Sequence, residues 1–169
     1  SAAGFRGRKG SLYEGGIRVP LVVRWKNHLQ PGKTVDRITG FEDWLPTLLE
    51  LASAQRLIPQ RDIDGISFAP TLLGRRQKER PFLYREFPGY GGQQSLRAGD
   101  WKVIRQKLDP RFGGSGTEIP TELYNLRRDP GETCDLAREQ PKRLAELTRT
   151  MILQHAIAPA FPFPRLDAT

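Results

Sequence analysis

A cationic, glycine-rich run near the amino terminus contains the residues best suited to chemistry. Residues 7–18 include Arg8, Lys9 and Arg18, with three glycines between Arg8 and Arg18. Glycine permits positive φ and close backbone approach, so main-chain N–H groups and cationic side chains can converge on one oxyanion. The run therefore predicts an anion-binding loop.

The segment that follows the loop indicates where the loop lies in the fold. Residues 19–25 form a short apolar run with Pro20 at its start, which is typical of a strand buried on both faces of a sheet. Ligands of α/β proteins bind at the ends of such strands. The pattern places the loop in a ligand-binding position.

Two helices and four strands are predicted further along the chain. Apolar residues recur at helical spacing from Trp44 to Ala52, with Asp43 as the expected N-cap and Pro46 in the first turn. Apolar spacing also predicts an amphipathic helix over residues 141–152. Short β patterns occupy residues 82–87, 94–98, 101–105 and 122–126, with a hairpin turn at 98–100.

Two segments are predicted to be irregular. The glycine-rich loop over residues 109–120 is expected to be either mobile or directed toward a pocket, and the stretch 84–92 is a candidate wall of the substrate approach. The proline-rich segment from residue 158 cannot continue a helix, so it predicts an extended tail, docked or disordered.

Five sequence blocks, in order, resemble the sulfatase family of the alkaline phosphatase superfamily. The first is the Lys-Gly-x-x-Tyr-Glu-Gly segment, and the second is an Asp-x-x-Pro-Thr-Leu-Leu helix. The sequences of these blocks are similar to the arylsulfatase and N-acetylgalactosamine-6-sulfatase branch. The blocks are residues 7–20, 43–52, 64–74, 97–104 and 122–132.

The resemblance implies an α+β fold and a division of the chain. Residues 1–75 would be the C-terminal end of a larger catalytic α/β domain, contributing a strand and a helix. Residues 80–157 would form a small four-stranded antiparallel sheet packed on a C-terminal helix, and residues 158–169 a proline-rich tail. The partner of the chain would then be an N-terminal catalytic half.

The resemblance also assigns a role to Lys9. In sulfatases the lysine of this segment binds the sulfate of the substrate, so Lys9 is the expected catalytic and substrate-binding residue. Arg8 receives no role. Glu14 and Arg18 are expected to pair with each other and hold the shape of the loop.

Sulfatases also need a formylglycine, made from Cys or Ser in a Cys/Ser-x-Pro-x-Arg motif, and a divalent cation, usually calcium. Cys134 is followed by arginine at the right spacing, but Leu136 stands where proline is required. His28 and His155 are the only histidines, and ordinary structural roles are expected for both. No metal ligand and no nucleophile is assigned.

The charge balance favours an anionic partner. The chain carries a net charge of +8, with 27 basic and 19 acidic residues. No nucleic-acid-binding motif is recognisable, so nucleic acid is not expected as a partner. No apolar run approaches the roughly 18 residues of a membrane span, so no span is expected. A sulfated small molecule or polysaccharide fits the charge. Family resemblance implies a periplasmic, secreted or lysosomal location.

Three functions follow from these observations. The first is the C-terminal portion of a sulfatase, a sulfuric ester hydrolase acting on a sulfated sugar or aryl sulfate, with the isolated chain inactive. The second is a phosphonate or phosphate-ester hydrolase of the same superfamily. The third is a non-catalytic basic domain that binds sulfated polysaccharide.

Overall fold

A computed structural model describes residues 3–58, 63–112 and 118–167. The chain forms two compact units. The sheet unit comprises Ser1–Val19 and Pro81–Thr169, and the helical unit comprises Pro20–Arg80. The domain boundaries expected near residues 75–80 and 157–158 stay predictions.

The sheet unit is built on an antiparallel meander. Its strands β1 (Leu83–Phe87), β2 (Gln93–Ala98), β3 (Trp101–Gln106) and β4 (Thr121–Asn125) lie in sequential order. Ala98 pairs with Trp101 across a two-residue turn in which Gly99 has a φ of +55°. The predicted four-stranded sheet and its hairpin are confirmed.

One face of this sheet packs on a helix. Leu96, Val103 and Leu123 are fully buried against Leu147 and Met151. The last two residues belong to α4 (Pro141–Ile152), which confirms the predicted amphipathic helix, with proline in its first turn. This face is the apolar core of the unit.

The other face of the sheet packs on the amino-terminal segment. Leu12 and Tyr13 form a buried cluster with Ile104 and Tyr124. The short helix α1 (Glu14–Ile17) follows directly. Residues 3–19 therefore belong to the sheet unit, and the cationic run lies against strands that come more than 70 residues later.

The carboxyl-terminal segment is docked on the sheet unit. Phe163 and Leu166 are buried with Leu108. A short helix, α5 (Pro164–Asp167), ends the described chain and was not among the predicted elements. Residues 113–117 of the predicted glycine-rich loop lie outside the described residues.

The helical unit contains α2 (Trp44–Leu51) and α3 (Ala69–Leu72), with 3₁₀ turns at Phe41–Asp43 and Gln55–Leu57. Thr47 is fully buried, and its hydroxyl donates to the Asp43 carbonyl at 2.6 Å and accepts from the Phe68 N–H at 2.9 Å. These bonds join the two helices.

Asp43 precedes α2 as predicted, but its carboxylate does not cap that helix. It accepts from the Gly40 N–H at 2.9 Å and the Ile66 N–H at 2.7 Å, and it pairs with Arg80. The cause is the 3₁₀ turn immediately before α2, which gives Asp43 an αR backbone rather than the extended conformation of an N-cap.

The strand predicted over residues 19–25 is absent. These residues form no strand with any described part of the chain, and the Val22 side chain is 90% exposed. A strand is defined by hydrogen bonds to a neighbouring strand, and the apolar run alone cannot supply that neighbour.

No helix within the described residues has the length and apolarity needed to cross a bilayer.

Candidate functional site

Lys9 occupies the tip of a β-turn. The Ser11 N–H donates to the Arg8 carbonyl at 2.9 Å, which closes a turn with Lys9 and Gly10 at its centre. Gly10 has a φ of +87°, a conformation that side-chain-bearing residues rarely adopt. The turn therefore needs glycine directly after the lysine, as the sequence places it.

Gly16 lets helix α1 approach this turn closely. A Cβ at Gly16 would lie 2.0 Å from the Ser11 carbonyl oxygen and 2.7 Å from that of Arg8. Both contacts are with backbone, which cannot rotate away as a side chain can. The hydrogen of glycine is thus the largest group that the packing of α1 beneath the turn allows.

A buried glutamine of the sheet holds the turn. The Leu12 N–H donates to Gln93 Oε1 at 3.0 Å, and Gln93 Nε2 donates to the Gly10 carbonyl at 2.9 Å. Gln93 is the first residue of β2 and is 4% exposed. One amide therefore binds the backbone at both ends of a three-residue segment next to Lys9.

The turn borders a pocket of about 330 Å³. Lys9 is exposed there and has no ion-pair or hydrogen-bond partner among the described residues. No acidic side chain is among the described residues that line the pocket, so the site is electrostatically suited to an anion. The lining residues are Arg6, Gly7, Arg8, Lys9, Gly10, Ser11, Tyr13, Tyr90, Gln93 and Gln106.

Two tyrosines beneath the pocket share one carboxylate. The Tyr13 and Tyr124 hydroxyls donate to Glu122 Oε2 at 2.5 and 2.7 Å. Burial, and after it the hydrogen bond to Glu122, raises the pKa of both hydroxyls. Both phenols therefore act as hydrogen-bond donors to Glu122 in this arrangement.

Arg6 connects this tyrosine cluster to the pocket. Its guanidinium lies 4.0 Å from the centroid of the Tyr13 ring, and Nη1 donates to the Tyr124 hydroxyl at 2.5 Å and to the Glu132 carbonyl at 3.1 Å. Arg6 also forms an ion pair with Glu122 at 3.4 Å. Its charge is already partly neutralised, whereas that of Lys9 is not.

The expected pairing of Glu14 with Arg18 is wrong. Glu14 Oε1 lies 3.0 Å from Lys102 Nζ, and Glu14 Oε2 lies 3.4 Å from Arg97 Nη1. The Arg18 guanidinium instead lies 4.6 Å from the centroid of the Phe5 ring. Glu14 is buried while Arg18 is exposed, so the two side chains occupy different environments despite their short separation in sequence.

A second carboxylate completes this buried cluster. Glu132 Oε1 forms an ion pair with Lys102 Nζ at 2.8 Å, and Glu132 Oε2 accepts from the Glu14 N–H at 2.6 Å. Burial raises the pKa of the Glu132 carboxyl and outweighs the opposing effect of Lys102.

Cys134 and His155 lie in hydrogen-bonded surroundings, and the ordinary structural roles expected for them stay predictions. Cys134 is exposed, and its N–H donates to the Asp129 carboxylate at 2.8 Å within a turn. The His155 ring lies between Glu86 and Asp167, at 2.7 and 2.8 Å. Neither residue lines the pocket that contains Lys9.

The described residues do not fit the cofactors of sulfatases, which are calcium and formylglycine. Across residues 3–58, 63–112 and 118–167, no three His, Cys, Asp or Glu side chains converge as metal ligands would. The sole cysteine lacks the required proline. No catalytic step in this chain is therefore assigned to either group.

Several residues of the site carried no recognisable sequence signal. Gln93, Gln106 and Arg6 belong to no motif. Gln93 and Gln106 reach the pocket from opposite positions of β2 and β3, and Arg6 reaches it from the amino-terminal segment. Tyr90 is different, because the stretch 84–92 was predicted to line the approach. Its ring lies against Gly10, where a Cβ would meet Tyr90 Cε2 at 2.1 Å.

Comparison with known proteins identifies the family to which this chain belongs. Residues 7–156 match the C-terminal family of N-sulphoglucosamine sulphohydrolase. The chain belongs to this family, and its homologues are sulfatases. The resemblance inferred from the five sequence blocks is confirmed.

Curated relatives cover most of the chain. It is 35% identical to steryl-sulfatase of Mus musculus, over 85% of this chain and 26% of the relative. It is 32% identical to arylsulfatase A of Homo sapiens, over 92% and 34%. For human N-acetylgalactosamine-6-sulfatase the values are 30%, 91% and 34%. The chain thus spans between a quarter and about a third of these relatives.

Solved structures agree on the fold. A Bacteroides thetaiotaomicron protein described with the metabolism of multiple glycosaminoglycans superposes with a TM-score of 0.67 at 26% identity, over 88% of this chain and 31% of its own. The structure of Ps i-CgsB in complex with k-i-k-neocarrahexaose gives a TM-score of 0.64 at 25% identity, over 86% and 30%.

Proposed function

We propose that this chain is the C-terminal portion of a sulfatase and that Lys9 binds the sulfate group of a sulfate ester. The observation that carries this proposal is the Lys9 ammonium at the tip of a hydrogen-bonded turn, beside a pocket where the described residues supply neither a partner for it nor an acidic side chain. Family membership supplies the class of reaction.

Lys9 would act through charge. Hydrolysis of a sulfate ester increases negative charge on the leaving oxygen, and a preorganised cation stabilises that charge most strongly in the transition state. The Lys9 turn is held by hydrogen bonds from the backbone and from the Gln93 amide. The Cα of Lys9 therefore has a defined position, and its ammonium needs little reorganisation to meet the sulfate group. Arg8 lines the same pocket but has no assigned role.

The nucleophile and the metal would come from sequence outside this chain, in an N-terminal catalytic half. The isolated chain is therefore expected to be inactive. The substrate is a sulfated sugar or an aryl sulfate, in keeping with the net charge of +8. By family, the complete protein would be periplasmic, secreted or lysosomal.

Turnover of matched esters by the complete protein tests the reaction. The full-length protein that contains this chain is assayed with 4-nitrophenyl sulfate and 4-nitrophenyl phosphate, with the isolated chain in parallel. We expect faster hydrolysis of the sulfate and none by the isolated chain. Preference for the phosphate would favour a phosphate-ester hydrolase. Retention on a sulfated polysaccharide without any turnover would favour a binding domain.

A further inference from the structure

Gln93 makes the contacts that hold the Lys9 turn to the sheet. Its side chain is buried at the first position of β2, directly after the turn that contains Tyr90. Its Oε1 accepts from the Leu12 N–H and its Nε2 donates to the Gly10 carbonyl, at 3.0 and 2.9 Å. Both ends of the amide are thereby used on one short segment of backbone.

These two bonds require an amide. The Gly10 carbonyl needs a donor and the buried Leu12 N–H needs an acceptor, and a primary amide offers one of each at a fixed separation. A leucine would leave both backbone groups without partners, which is costly where water is excluded. A glutamate would place a second oxygen against the Gly10 carbonyl and repel it.

The direction of the Lys9 side chain depends on this backbone. Lysine has a flexible four-carbon stem, so its ammonium reaches a repeatable position only if the Cα from which it starts is fixed. Lys9 directly precedes Gly10, whose carbonyl Gln93 binds. We propose that Gln93 is a positioning residue that acts through Lys9, holding the turn so that the ammonium meets the sulfate group.

This proposal rests on the proposed function of Lys9, and the sheet offers a matched control for it. Gln94 is the next residue of β2 and is fully buried, but its side chain points to the opposite face. There its Nε2 donates to the Tyr84 hydroxyl at 2.7 Å and to Glu86 at 3.3 Å. Gln94 therefore shares the burial and chemistry of Gln93 without contacting the turn.

A double-mutant cycle in the full-length protein tests the proposal. We would measure kcat and KM for 4-nitrophenyl sulfate, the inhibition constant of inorganic sulfate and the unfolding temperature. The single variants are Gln93→Leu, Gln93→Glu, Gln94→Leu and Lys9→Ala. The double variant of Lys9→Ala with Gln93→Leu completes the cycle. Gln93→Asn, which keeps the amide but is one methylene shorter, serves if the other Gln93 variants fail to fold.

We expect each Gln93 variant to lower kcat/KM by about 10- to 100-fold and to weaken inhibition by sulfate, because small misplacements of a positioned group have effects of this size. Gln94→Leu should change kcat/KM by less than about threefold at a similar loss of unfolding temperature. In the Lys9→Ala background, Gln93→Leu should lower kcat/KM by no more than about twofold further.

Two results would overturn the positioning role. One is a Gln93→Leu effect that multiplies fully with that of Lys9→Ala, and the other is an equal loss of kcat/KM in Gln94→Leu. If Lys9→Ala itself retains full activity, the proposed function of Lys9 fails, and that outcome is visible without any Gln93 variant.

Discussion

Lys102 Nζ lies 3.0 Å from Glu14 Oε1, and the two side chains are 1% and 3% exposed. Lys102 belongs to β3, whereas Glu14 begins α1, which follows the Lys9 turn after Leu12 and Tyr13. The ion pair therefore ties the segment that carries Lys9 to the centre of the sheet. Glu132, 2.8 Å from the same ammonium, ties a third segment to it.

Removing the shared cation should strongly destabilise the sheet unit. In Lys102→Met the carboxylates of Glu14 and Glu132 stay buried without their common partner, and loss of one member of a buried pair costs about 3–5 kcal/mol. Urea unfolding of the intact protein measures the change. The control Arg127→Met removes an exposed cation 3.8 Å from Asp100 and should change stability by under about 0.5 kcal/mol. Equal effects of the two substitutions would contradict a dominant role for the buried cluster.

Gly16→Ala should reverse the usual effect of such a change in a helix. Alanine normally stabilises a helix relative to glycine by about 1 kcal/mol. Here its Cβ would meet the Ser11 carbonyl oxygen at 2.0 Å, so we expect destabilisation by about 1–3 kcal/mol and weaker inhibition by sulfate.

Thermal unfolding and the inhibition constant of sulfate measure both effects of Gly16→Ala. Gly131→Ala is the matched control, because the Cβ there would lie 3.5 Å or more from its nearest neighbours. A Gly16→Ala protein as stable as Gly131→Ala would show that α1 does not pack tightly beneath the turn.

His155 should make the fold more stable at mildly acidic pH. Burial acts to lower the pKa of His155, but its hydrogen bonds to Glu86 and Asp167 outweigh burial and raise that pKa above 6.5. The stabilising contribution is thus fully present below the unfolded value and is lost as pH rises through the folded pKa. Glu86 also accepts from Tyr84 and Gln94, which hold it in place.

The comparison of two histidine variants tests this pH dependence. The Tm difference between the unmodified protein and His155→Gln should be larger at about pH 5.5 than at about pH 9. His28 is exposed and stacks on Trp25 with ring centroids 4.0 Å apart, so His28→Gln should give a small difference at both pH values. If the Tm difference between the unmodified protein and His155→Gln does not shrink with rising pH, a protonated His155 held between Glu86 and Asp167 is refuted.

Thr47→Val tests the helical unit separately. Valine keeps the shape of the side chain but removes the acceptor of the buried Phe68 N–H and the donor to the Asp43 carbonyl. An unsatisfied buried group costs about 1–3 kcal/mol, so unfolding followed by a probe in this unit should shift by that amount. Thr150→Val on α4, whose hydroxyl donates to the Glu146 carbonyl at an exposed position, should shift stability by less.

Local patterns were sufficient for most of the secondary structure. The β patterns around Trp101 and Tyr124 and the apolar spacing from Leu144 to Met151 correspond to β3, β4 and α4. These signals lie within a few residues of one another, which is why a single sequence reveals them.

Long-range partners could not be derived in the same way. Glu14 was assigned to the nearby Arg18, yet its cation comes from Lys102, 88 residues away. Gln93 has no motif, and only the packing of the amino-terminal segment on the sheet makes its side chain a partner of Gly10 and Leu12. The run 19–25 shows the converse, because apolar character predicted a strand where no described neighbour pairs with it.

The value of kcat/KM for the Lys9→Ala variant tests the central claim most directly. In the full-length protein, we expect kcat/KM for 4-nitrophenyl sulfate to fall about 10²- to 10³-fold, with an unchanged unfolding temperature because Lys9 is exposed. Lys142→Ala, an exposed lysine of α4 outside the pocket, should keep full activity. A Lys9→Ala protein whose kcat/KM stays within about twofold of the unmodified protein would contradict the assignment of the Lys9 turn as the sulfate-binding site.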